Sequence, residues 1–255
     1  MKIVIDTELK KISCETSSRT DTFDLYSEEA FDIVSNQWLK IGWNQKYSYS
    51  YTWFGLPMIQ LPEDVLRTQE AVYSIKPDVV VETGIAHGGS LIFYASLLKA
   101  MGRGRVVGVD IDIRLHNREK IEKHEFFPYI TLIEGDSAGE DIIARVQSNI
   151  KKGDTVMVVL DSCHLKGHVL KELEAYHKFV TVGSYIVATD GIMQDLHDVP
   201  RGEASWIEDN PVSAVEEFLK GHPEFILEKP ARGFNESLCS KDLTYWPKAW
   251  LKRIR

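Results

Sequence analysis

Five acidic residues are the first candidates for chemistry in this chain, because each lies at the end of a short apolar segment: Glu82, Asp110, Asp136, Asp161 and Asp190. Acids in such positions can accept hydrogen bonds from hydroxyl groups, balance a cationic ligand or coordinate a divalent cation. We expect Asp161 and Asp190 to share a cation such as Mg²⁺ through their hard oxygen ligands. His164, three residues after Asp161, is a candidate general base or substrate contact.

Three glycines follow the first of these acids, at Gly84, Gly88 and Gly89. They permit a sharp turn and a close approach of the backbone to a ligand. Ser90 can cap the next helix, whose free N–H groups can receive a polar or negatively charged group. The spacing matches neither a Walker A loop nor G-x-G-x-x-G, so the pattern does not indicate a phosphate ligand.

The acids on either side of this turn indicate a different ligand. Glu82 suits a cationic amino-acid group, and Asp110, at the end of the next strand, is placed to bind ribose hydroxyls. S-adenosylmethionine combines a ribose with a cationic amino-acid tail, so we predict that it binds here. A capping or ion-paired role for Glu82, and a plain tight turn at the glycines, remain the alternatives that these residues allow.

The elements that must position these residues alternate regularly after Asp78. Strand-like apolar segments alternate with helical patterns, and the strands are predicted at 79–81, 105–112, 129–133, 154–161 and 185–190. This rhythm predicts an α/β fold with a Rossmann-like, doubly wound parallel sheet. Right-handed crossovers would then bring the acidic strand ends to one edge. At that edge, Asp136 or Ser137 has the alternative role of capping the next helix.

Residues 1–70 are interpreted as an N-terminal helical and aromatic extension, and residues 71–255 as the cofactor-binding domain. A helix is predicted over Ser27–Leu39, and another from Pro62 to Ser74. Between them, Tyr47–Gly55 has an aromatic residue at every second position, which predicts an extended segment. The extension is expected to supply subunit contacts or a lid over the substrate.

The C-terminal region is predicted to hold a specificity loop and strands that close the sheet. The loop covers Ile192–Trp206, and Arg201, Trp206 and Tyr51 are expected to face the substrate. A helix is predicted at Val212–Leu219. The closing strands are predicted at Glu224–Glu228 and Glu236–Ser240, followed by an aromatic, basic tail.

Composition restricts the class of protein. The chain is 44% hydrophobic and 27% charged, as in ordinary globular proteins, and its net charge is 30 − 38 = −8, which argues against a nucleic-acid partner. Three cysteines without a C-x-x-C pair favour a reducing compartment. Without a signal-peptide pattern or a long apolar run, the chain is expected to be cytoplasmic and to have no membrane span.

With these motifs in hand, the chain resembles the cephalosporin hydroxylase and rhamnosyl O-methyltransferase family of class I S-adenosylmethionine-dependent methyltransferases. The resemblance covers most of the chain and rests mainly on five motifs: VVETGIAHGGS at Val80–Ser90, VGVDIDIR at Val107–Arg114, EGDS at Glu134–Ser137, LDSCHLKGHVLKELEAY at Leu160–Tyr176 and GSYIVATD at Gly183–Asp190. The fourth motif, with the GSY that follows it, is the most specific of them.

The resemblance implies a role for each part of the cofactor site. Glu82 and the Gly84 turn, with Gly88 and Ser90, would face the methionine part of S-adenosylmethionine. Asp110, with its neighbour Ile111, would face the ribose, and Asp136 and Ser137 would face the adenine. Asp161 also belongs to this set, and together with Asp190 it would bind Mg²⁺. Thr189 stands where the family places a second acid.

The implied activity is methyl transfer to a hydroxyl group, assisted by Mg²⁺, on a sugar of a glycolipid, polysaccharide or natural product. The resemblance also implies a homo-oligomer. Two alternatives are an oxidoreductase or hydroxylase that modifies natural products, and a non-catalytic cofactor-binding partner with a methyltransferase fold.

His168 lies four residues after His164. It is predicted to be a surface histidine or one whose hydrogen bonds are satisfied within the protein, rather than a zinc ligand.

Overall fold

The computed structural model describes the whole chain, Met1–Arg255. It begins with a three-stranded antiparallel sheet formed by β1 (Lys2–Asp6), β2 (Lys11–Glu15) and β3 (Thr20–Asp24). This sheet was not predicted from the sequence. Ile12 and Cys14 on the middle strand are buried, whereas β1 and β3 lie on the outside.

Helix α1 (Glu28–Asn44) starts where the sequence predicted, because the Ser27 hydroxyl accepts a hydrogen bond from the Ala30 N–H at 3.2 Å. The prediction of an extended segment over Tyr47–Gly55 is wrong for its first four residues. Tyr47–Ser50 forms a 3₁₀ turn, in which the Ser50 hydroxyl donates to the Tyr47 carbonyl at 2.8 Å. This turn places the Tyr47 and Tyr51 hydroxyls 2.6 Å apart.

A short hairpin and a helix complete the N-terminal region. The hairpin pairs β4 (Thr52–Trp53) with β5 (Leu56–Pro57), and helix α2 (Pro62–Ile75) follows. The helix starts with proline and two acids in its first turn, as predicted. The proposed boundary between residues 70 and 71 falls inside α2 and stays a prediction.

The rest of the chain builds the predicted alternation of strands and helices. The strands are β6 (Val79–Thr83), β7 (Arg105–Asp110), β8 (Ile130–Glu134), β9 (Val156–Leu160), β10 (Tyr185–Ala188), β11 (Phe225–Leu227) and β12 (Trp250–Arg253). The helices are α3 (Gly89–Ala100), α4 (Leu115–Glu122), α5 (Glu140–Ser148), α6 (Lys166–Tyr176) and α7 (Pro211–Gly221).

These strands form one seven-stranded sheet in the order β11-β12-β10-β9-β6-β7-β8. The five strands from β10 to β8 are parallel, and β12 runs antiparallel to both β10 and β11. Helices cover both faces, and each face buries its own apolar cluster. Val80 belongs to one cluster, while Val79 and Val81 belong to the other, which explains why the central strands are apolar at consecutive positions.

One closing strand differs from the prediction. Glu236–Ser240 is not a strand, and no regular structure occurs between residues 228 and 249. The last strand is β12, in the segment predicted as a tail, because Leu251 is fully buried between β10 and β11 whereas Leu238 is 98% exposed. None of the helices is long and apolar enough to cross a bilayer.

Candidate active site

The glycine turn at the end of β6 brings two parts of the chain unusually close together. Gly84 has φ +87°, and a Cβ atom there would lie 2.0 Å from the main-chain oxygen of Asp161. Only glycine fits both the backbone conformation and this approach. The turn therefore lies directly against the residue that follows β9.

Asp110 holds the other side of this turn in place. Its Oδ2 accepts hydrogen bonds from the N–H groups of Ile85 at 2.7 Å and Ala86 at 3.2 Å, and its Oδ1 accepts from Asp112 at 3.1 Å. A carboxylate has about four acceptor positions, so it can still bind a ligand hydroxyl. Asp110 thus fixes the loop and faces the crevice at the same time.

A crevice of about 400 Å³ opens along the carboxyl ends of the parallel strands. Eleven residues line it: Gly84, Ala86, Val109, Asp110, Ile111, Asp136, Ser137, Asp161, Ser162, Cys163 and His168. Six of the predicted cofactor residues are therefore brought together here, namely Gly84, Asp110, Ile111, Asp136, Ser137 and Asp161. Such edges are where open α/β sheets bind their ligands.

The other three predicted cofactor residues, Glu82, Gly88 and Ser90, do not line this crevice. Glu82 is fully buried, and its Oε2 accepts a hydrogen bond from the Ser90 hydroxyl at 2.8 Å. Its Oε1 has no partner. Burial raises the pKa of Glu82 well above its usual value, and the nearby Asp161 carboxylate adds to this shift.

Neither Ser90 nor the alternative candidates Asp136 and Ser137 cap the helices that follow them. Helix α3 is preceded by Gly88, at φ +86° and without a side-chain cap, because Ser90 lies inside the helix and donates to Glu82. Helix α5 is preceded by Gly139, also without a side-chain cap. Asp136 instead accepts a hydrogen bond from the Ala138 N–H at 3.0 Å.

The Ser137 side of the crevice depends on a buried acid that the sequence analysis did not assign to the site. Glu172 is fully buried, and its Oε1 accepts from the hydroxyls of Ser137 at 2.6 Å and Ser162 at 2.8 Å. His168 Nε2 lies 3.4 Å from the same oxygen, and this contact raises the pKa of His168. Tyr176 donates to the Ser137 carbonyl at 2.9 Å. The only sequence signal was a polar residue on the apolar face of a helix.

Asp161, His164 and Asp190, the predicted catalytic residues, form a cluster beyond the ends of β9 and β10. Each offers one ligand atom, and these atoms all lie within 4.8 Å of one another. His164 Nε2 is 3.5 Å from Asp190 Oδ2. Asp190 has φ 54°, a left-handed conformation that is uncommon outside glycine and that turns the chain directly after β10.

Two neutral groups donate hydrogen bonds to Asp161. Gln60 Nε2 lies 3.3 Å from its Oδ2, and the hydroxyl of the buried Thr189 contacts its Oδ1. The Thr189 hydroxyl also lies 3.0 Å from the Leu160 carbonyl oxygen, so it is held against the end of β9. Burial, reinforced by repulsion from Asp190, raises the pKa of Asp161 to about 6.

A further acid lies close to this cluster. Asp64 is only 3% exposed, and its carboxylate accepts hydrogen bonds from the Thr244 hydroxyl and, at 2.9 Å, from the Tyr245 N–H. Burial raises the pKa of Asp64 to about 8, and the charge of Asp190 contributes to this shift. In the sequence, Asp64 was only part of the helix predicted from Pro62 to Ser74, and its burial was not predicted.

The three residues expected to face the acceptor are held in other contacts. The Arg201 guanidinium stacks 4.8 Å from the Trp43 ring and donates to the Trp43 carbonyl at 3.0 Å. Trp206 packs edge-on against Trp43, with 5.6 Å between ring centroids. Tyr51 donates to Tyr47. The Arg201 and Trp206 contacts attach the loop after β10 to the end of α1, which is a packing role.

The strand order and the crevice define the fold of the class I S-adenosylmethionine-dependent methyltransferases. Among solved structures, CmcI bound to Mg and SAM matches with a TM-score of 0.55 and 18% identity, over 81% of this chain and 78% of that chain. The O-methyltransferase TomG from Streptomyces achromogenes matches with a TM-score of 0.50 and 17% identity, over 64% of this chain and 70% of that chain.

The chain belongs to the rhamnosyl O-methyltransferase/CmcI family, whose model matches residues 45–254. A rhamnosyl O-methyltransferase of Mycobacterium leprae is 27% identical over 175 residues, which are 68% of this chain and 72% of the relative. The Mycobacterium tuberculosis protein of the same name is 26% identical over 163 residues, or 62% of this chain and 64% of the relative. The predicted family, fold class and enzyme class, an S-adenosylmethionine-dependent O-methyltransferase, are confirmed.

Proposed function

We propose that this chain transfers the methyl group of S-adenosylmethionine to a hydroxyl group of a sugar. The observation that carries the proposal is the contact between Gly84 and Asp161, which places the cofactor crevice directly beside the Asp161–His164–Asp190 cluster. A methyl donor in the crevice and a hydroxyl acceptor at the cluster would therefore be neighbours. The relatives named rhamnosyl O-methyltransferase support a sugar as the acceptor.

Different crevice residues are proposed to bind different parts of the cofactor. Asp110 and Ile111 are proposed to face the ribose, and Asp136 and Ser137 to face the adenine. Glu82 precedes the Gly84 turn by two residues, and the cationic end of the ligand would favour its ionised form, which burial otherwise disfavours. Gly88 and Ser90 act indirectly, since Gly88 precedes α3 and Ser90 holds Glu82.

The reaction joins the acceptor oxygen to the methyl carbon and breaks the bond between that carbon and sulfur. The electron pair of the broken bond stays on sulfur, which becomes the neutral thioether of S-adenosylhomocysteine. The acceptor hydroxyl loses its proton, and His164 Nε2 is the proposed base. Asp161 and Asp190 would orient the hydroxyl, and alignment of oxygen, carbon and sulfur lowers the barrier by several kcal/mol.

The cluster also fits a divalent cation. Burial and, after it, repulsion from Asp190 raise the pKa of Asp161, and a cation between the two carboxylates would relieve that repulsion. Both would bind Mg²⁺ through carboxylate oxygens, with water completing the coordination. A bound Mg²⁺ would lower the pKa of an acceptor hydroxyl.

Residues 1–70 are proposed to provide contacts for a homo-oligomer. Four large apolar residues of α1 are exposed at intervals of three and four: Phe31 at 42%, Val34 at 40%, Trp38 at 38% and Ile41 at 60%. This spacing forms a single stripe on the helix surface. A light-scattering mass of one chain in solution would contradict this proposal.

The first experiment is thermal unfolding with S-adenosylhomocysteine, with NAD in parallel, each with Mg²⁺ or chelator. A ligand at about 100 times its dissociation constant adds roughly 2.7 kcal/mol of stability. Transfer of a labelled methyl group to rhamnosides, compared with non-sugar alcohols, then tests the acceptor. Stabilisation by NAD alone would contradict the methyltransferase proposal, and labelling of the non-sugar alcohols alone would contradict the sugar.

A further inference from the structure

A second group of metal-ligating side chains lies at the opposite edge of the sheet, where α6 and α7 end. Thr181, four residues beyond His177, exchanges hydrogen bonds with Val156, the first residue of β9. The catalytic cluster instead follows Leu160, the last residue of that strand. The two groups are therefore separated by the length of the strand.

Glu174, His177 and His222 make up this second group. Each offers one ligand atom, and these atoms all lie within 4.8 Å of one another. In tetrahedral zinc sites, with metal–ligand bonds of about 2.0–2.1 Å, neighbouring ligand atoms are about 3.4 Å apart. Side-chain shifts of about 1 Å would therefore close the group around an ion. Glu174 and His177 are three residues apart at the end of α6, so they share one side of the helix.

The second nitrogen of His222 is already oriented by another acid. Nδ1 lies 2.9 Å from Glu224 Oε1, while Nε2 lies 3.1 Å from Glu174 Oε2. A histidine that donates its Nδ1 hydrogen to a carboxylate presents Nε2 to a metal, which is the usual support for histidine ligands. The Phe218 ring stacks on His222 with 3.9 Å between centroids and 12° between planes, so the imidazole is held in place.

His177 contributes the observation that points to a missing partner. Its Nδ1 is shielded from solvent and neither accepts nor donates a hydrogen bond. The nearest carboxylate oxygen, on Glu224, is 3.7 Å away, which is too far for a hydrogen bond. An unpaired buried nitrogen destabilises the fold, and coordination or a small ring movement toward an ion would remove this cost.

We propose that Glu174, His177 and His222 bind a divalent transition metal of the Zn²⁺ type, with Glu224 orienting His222. Two imidazoles and one carboxylate suit Zn²⁺ far better than Mg²⁺, and water would complete the coordination. The ion would join the end of α6 to the segment after α7. Its expected effect is on stability, because the group is remote from the methyl-transfer site.

The test is a Zn²⁺ titration of the full-length, chelator-treated protein by calorimetry. The protein carries Asp190→Asn, which weakens zinc binding at the catalytic cluster. We expect one ion per chain, and a rise in Tm of roughly 5–10 °C at 100 times the dissociation constant. Glu174→Gln and His177→Gln should each weaken binding at least tenfold, and Glu224→Gln by about 10–100-fold.

His197→Gln is the matched control, because His197 is an exposed histidine outside both clusters. It should bind Zn²⁺ with unchanged affinity. The Glu174 side chain is 52% exposed, so Glu174→Gln is expected to fold even if His177→Gln does not. Absence of zinc uptake, or uptake that Glu174→Gln leaves unchanged, would overturn the proposal and leave His222 as a histidine paired with two acids.

Discussion

Each edge of the central sheet carries a cluster of histidine and acidic residues, and the two clusters differ in their ratio of imidazoles to carboxylates. At the carboxyl edge, one imidazole, His164, faces two carboxylates, and Glu82 and Asp64 add further buried acids nearby. At the amino edge, two imidazoles face Glu174 and Glu224. The first cluster lacks positive charge, whereas the second lacks only a partner for one ring nitrogen of His177.

The pKa values of acids in the two clusters are shifted in opposite directions. Burial and the charge of Asp190 raise the pKa of Asp161, whereas the hydrogen bond from His222 lowers the pKa of Glu224. A cation at the carboxyl edge would therefore change protonation and reactivity. At the amino edge it would mainly change stability.

Replacing Asp161 by Asn should have the largest effect on activity. The substitution keeps the shape of the side chain but removes the charge proposed to orient the acceptor hydroxyl, so kcat should fall about 10²–10³-fold. Calorimetry should show nearly unchanged affinity for S-adenosylhomocysteine. Glu119→Gln, which removes an exposed ion pair with Lys123, is the control and should leave kcat unchanged. Wild-type kcat in Asp161→Asn would remove this residue from the mechanism.

Gly84→Ala and Gly183→Ala compare the two edges at nearly the same backbone angle. Their φ values are +87° and +88°, but a Cβ at Gly84 would meet the Asp161 backbone at 2.0 Å, whereas at Gly183 it meets nothing within 4 Å. Gly183→Ala should cost about 1–2 kcal/mol, the penalty for the left-handed conformation. Gly84→Ala should cost about 2–3 kcal/mol more, because the loop must move. Equal costs in urea unfolding would mean that the approach at Gly84 relaxes freely.

The rate of methyl transfer should fall on acidification through about pH 6 in the presence of chelator. Asp161 has a pKa of about 6 in the folded chain, and its protonated form lacks the required charge. Added Mg²⁺ should move this limb of the kcat/KM profile to lower pH, since a cation favours the ionised form. A limb that Mg²⁺ does not move would contradict metal binding at Asp161.

The same group should lower stability as pH rises. Its folded pKa lies above the usual value of 3.8, so between about pH 4 and pH 6 the folded state holds more protons than the unfolded state. The free energy of unfolding from this residue therefore decreases across that window. In Asp161→Asn, the decrease measured by urea unfolding at each pH should be smaller.

Glu172→Gln should have the smallest of these effects. Both serine hydroxyls that donate to its Oε1 would face a weaker, neutral acceptor, and Ser137 would be held less firmly. We expect affinity for S-adenosylhomocysteine to fall about threefold to tenfold, the equivalent of one weakened hydrogen bond. Lys171→Gln, on the exposed side of the same helix, is the control. Equal affinities in the two variants would show that Ser137 needs no support from Glu172.

Short-range patterns were enough to predict the sheet and one edge of it. The apolar run at Val79–Val81, the glycines after Glu82 and the acids at the strand ends are local features, and strand-helix alternation leaves little choice of topology. The crevice residues Gly84, Asp110 and Asp161 followed from that topology. Resemblance to the family added Ser137 and the expectation about Thr189.

Two other assignments failed, one because of contacts between near neighbours and one because of a strand that is distant in sequence. Tyr47–Ser50 alternates like a strand, but contacts with Lys46 and Tyr51 make it a turn. Glu236–Ser240 and the segment from Trp250 have similar local preferences, and only the space beside β10 selects the second as a strand.

By itself, the sequence determined the α/β class, the glycine turn and the acidic edge, since these follow from periodicity and conformational preference within a few residues. The tertiary structure alone decided which polar residues are buried and with what they pair. Asp64 meets Tyr245 across 181 positions, and His222 meets Glu174 across 48. The balance of charges in a cluster depends on such long-range pairs, so no local pattern could distinguish the cluster at the carboxyl edge from the one at the amino edge.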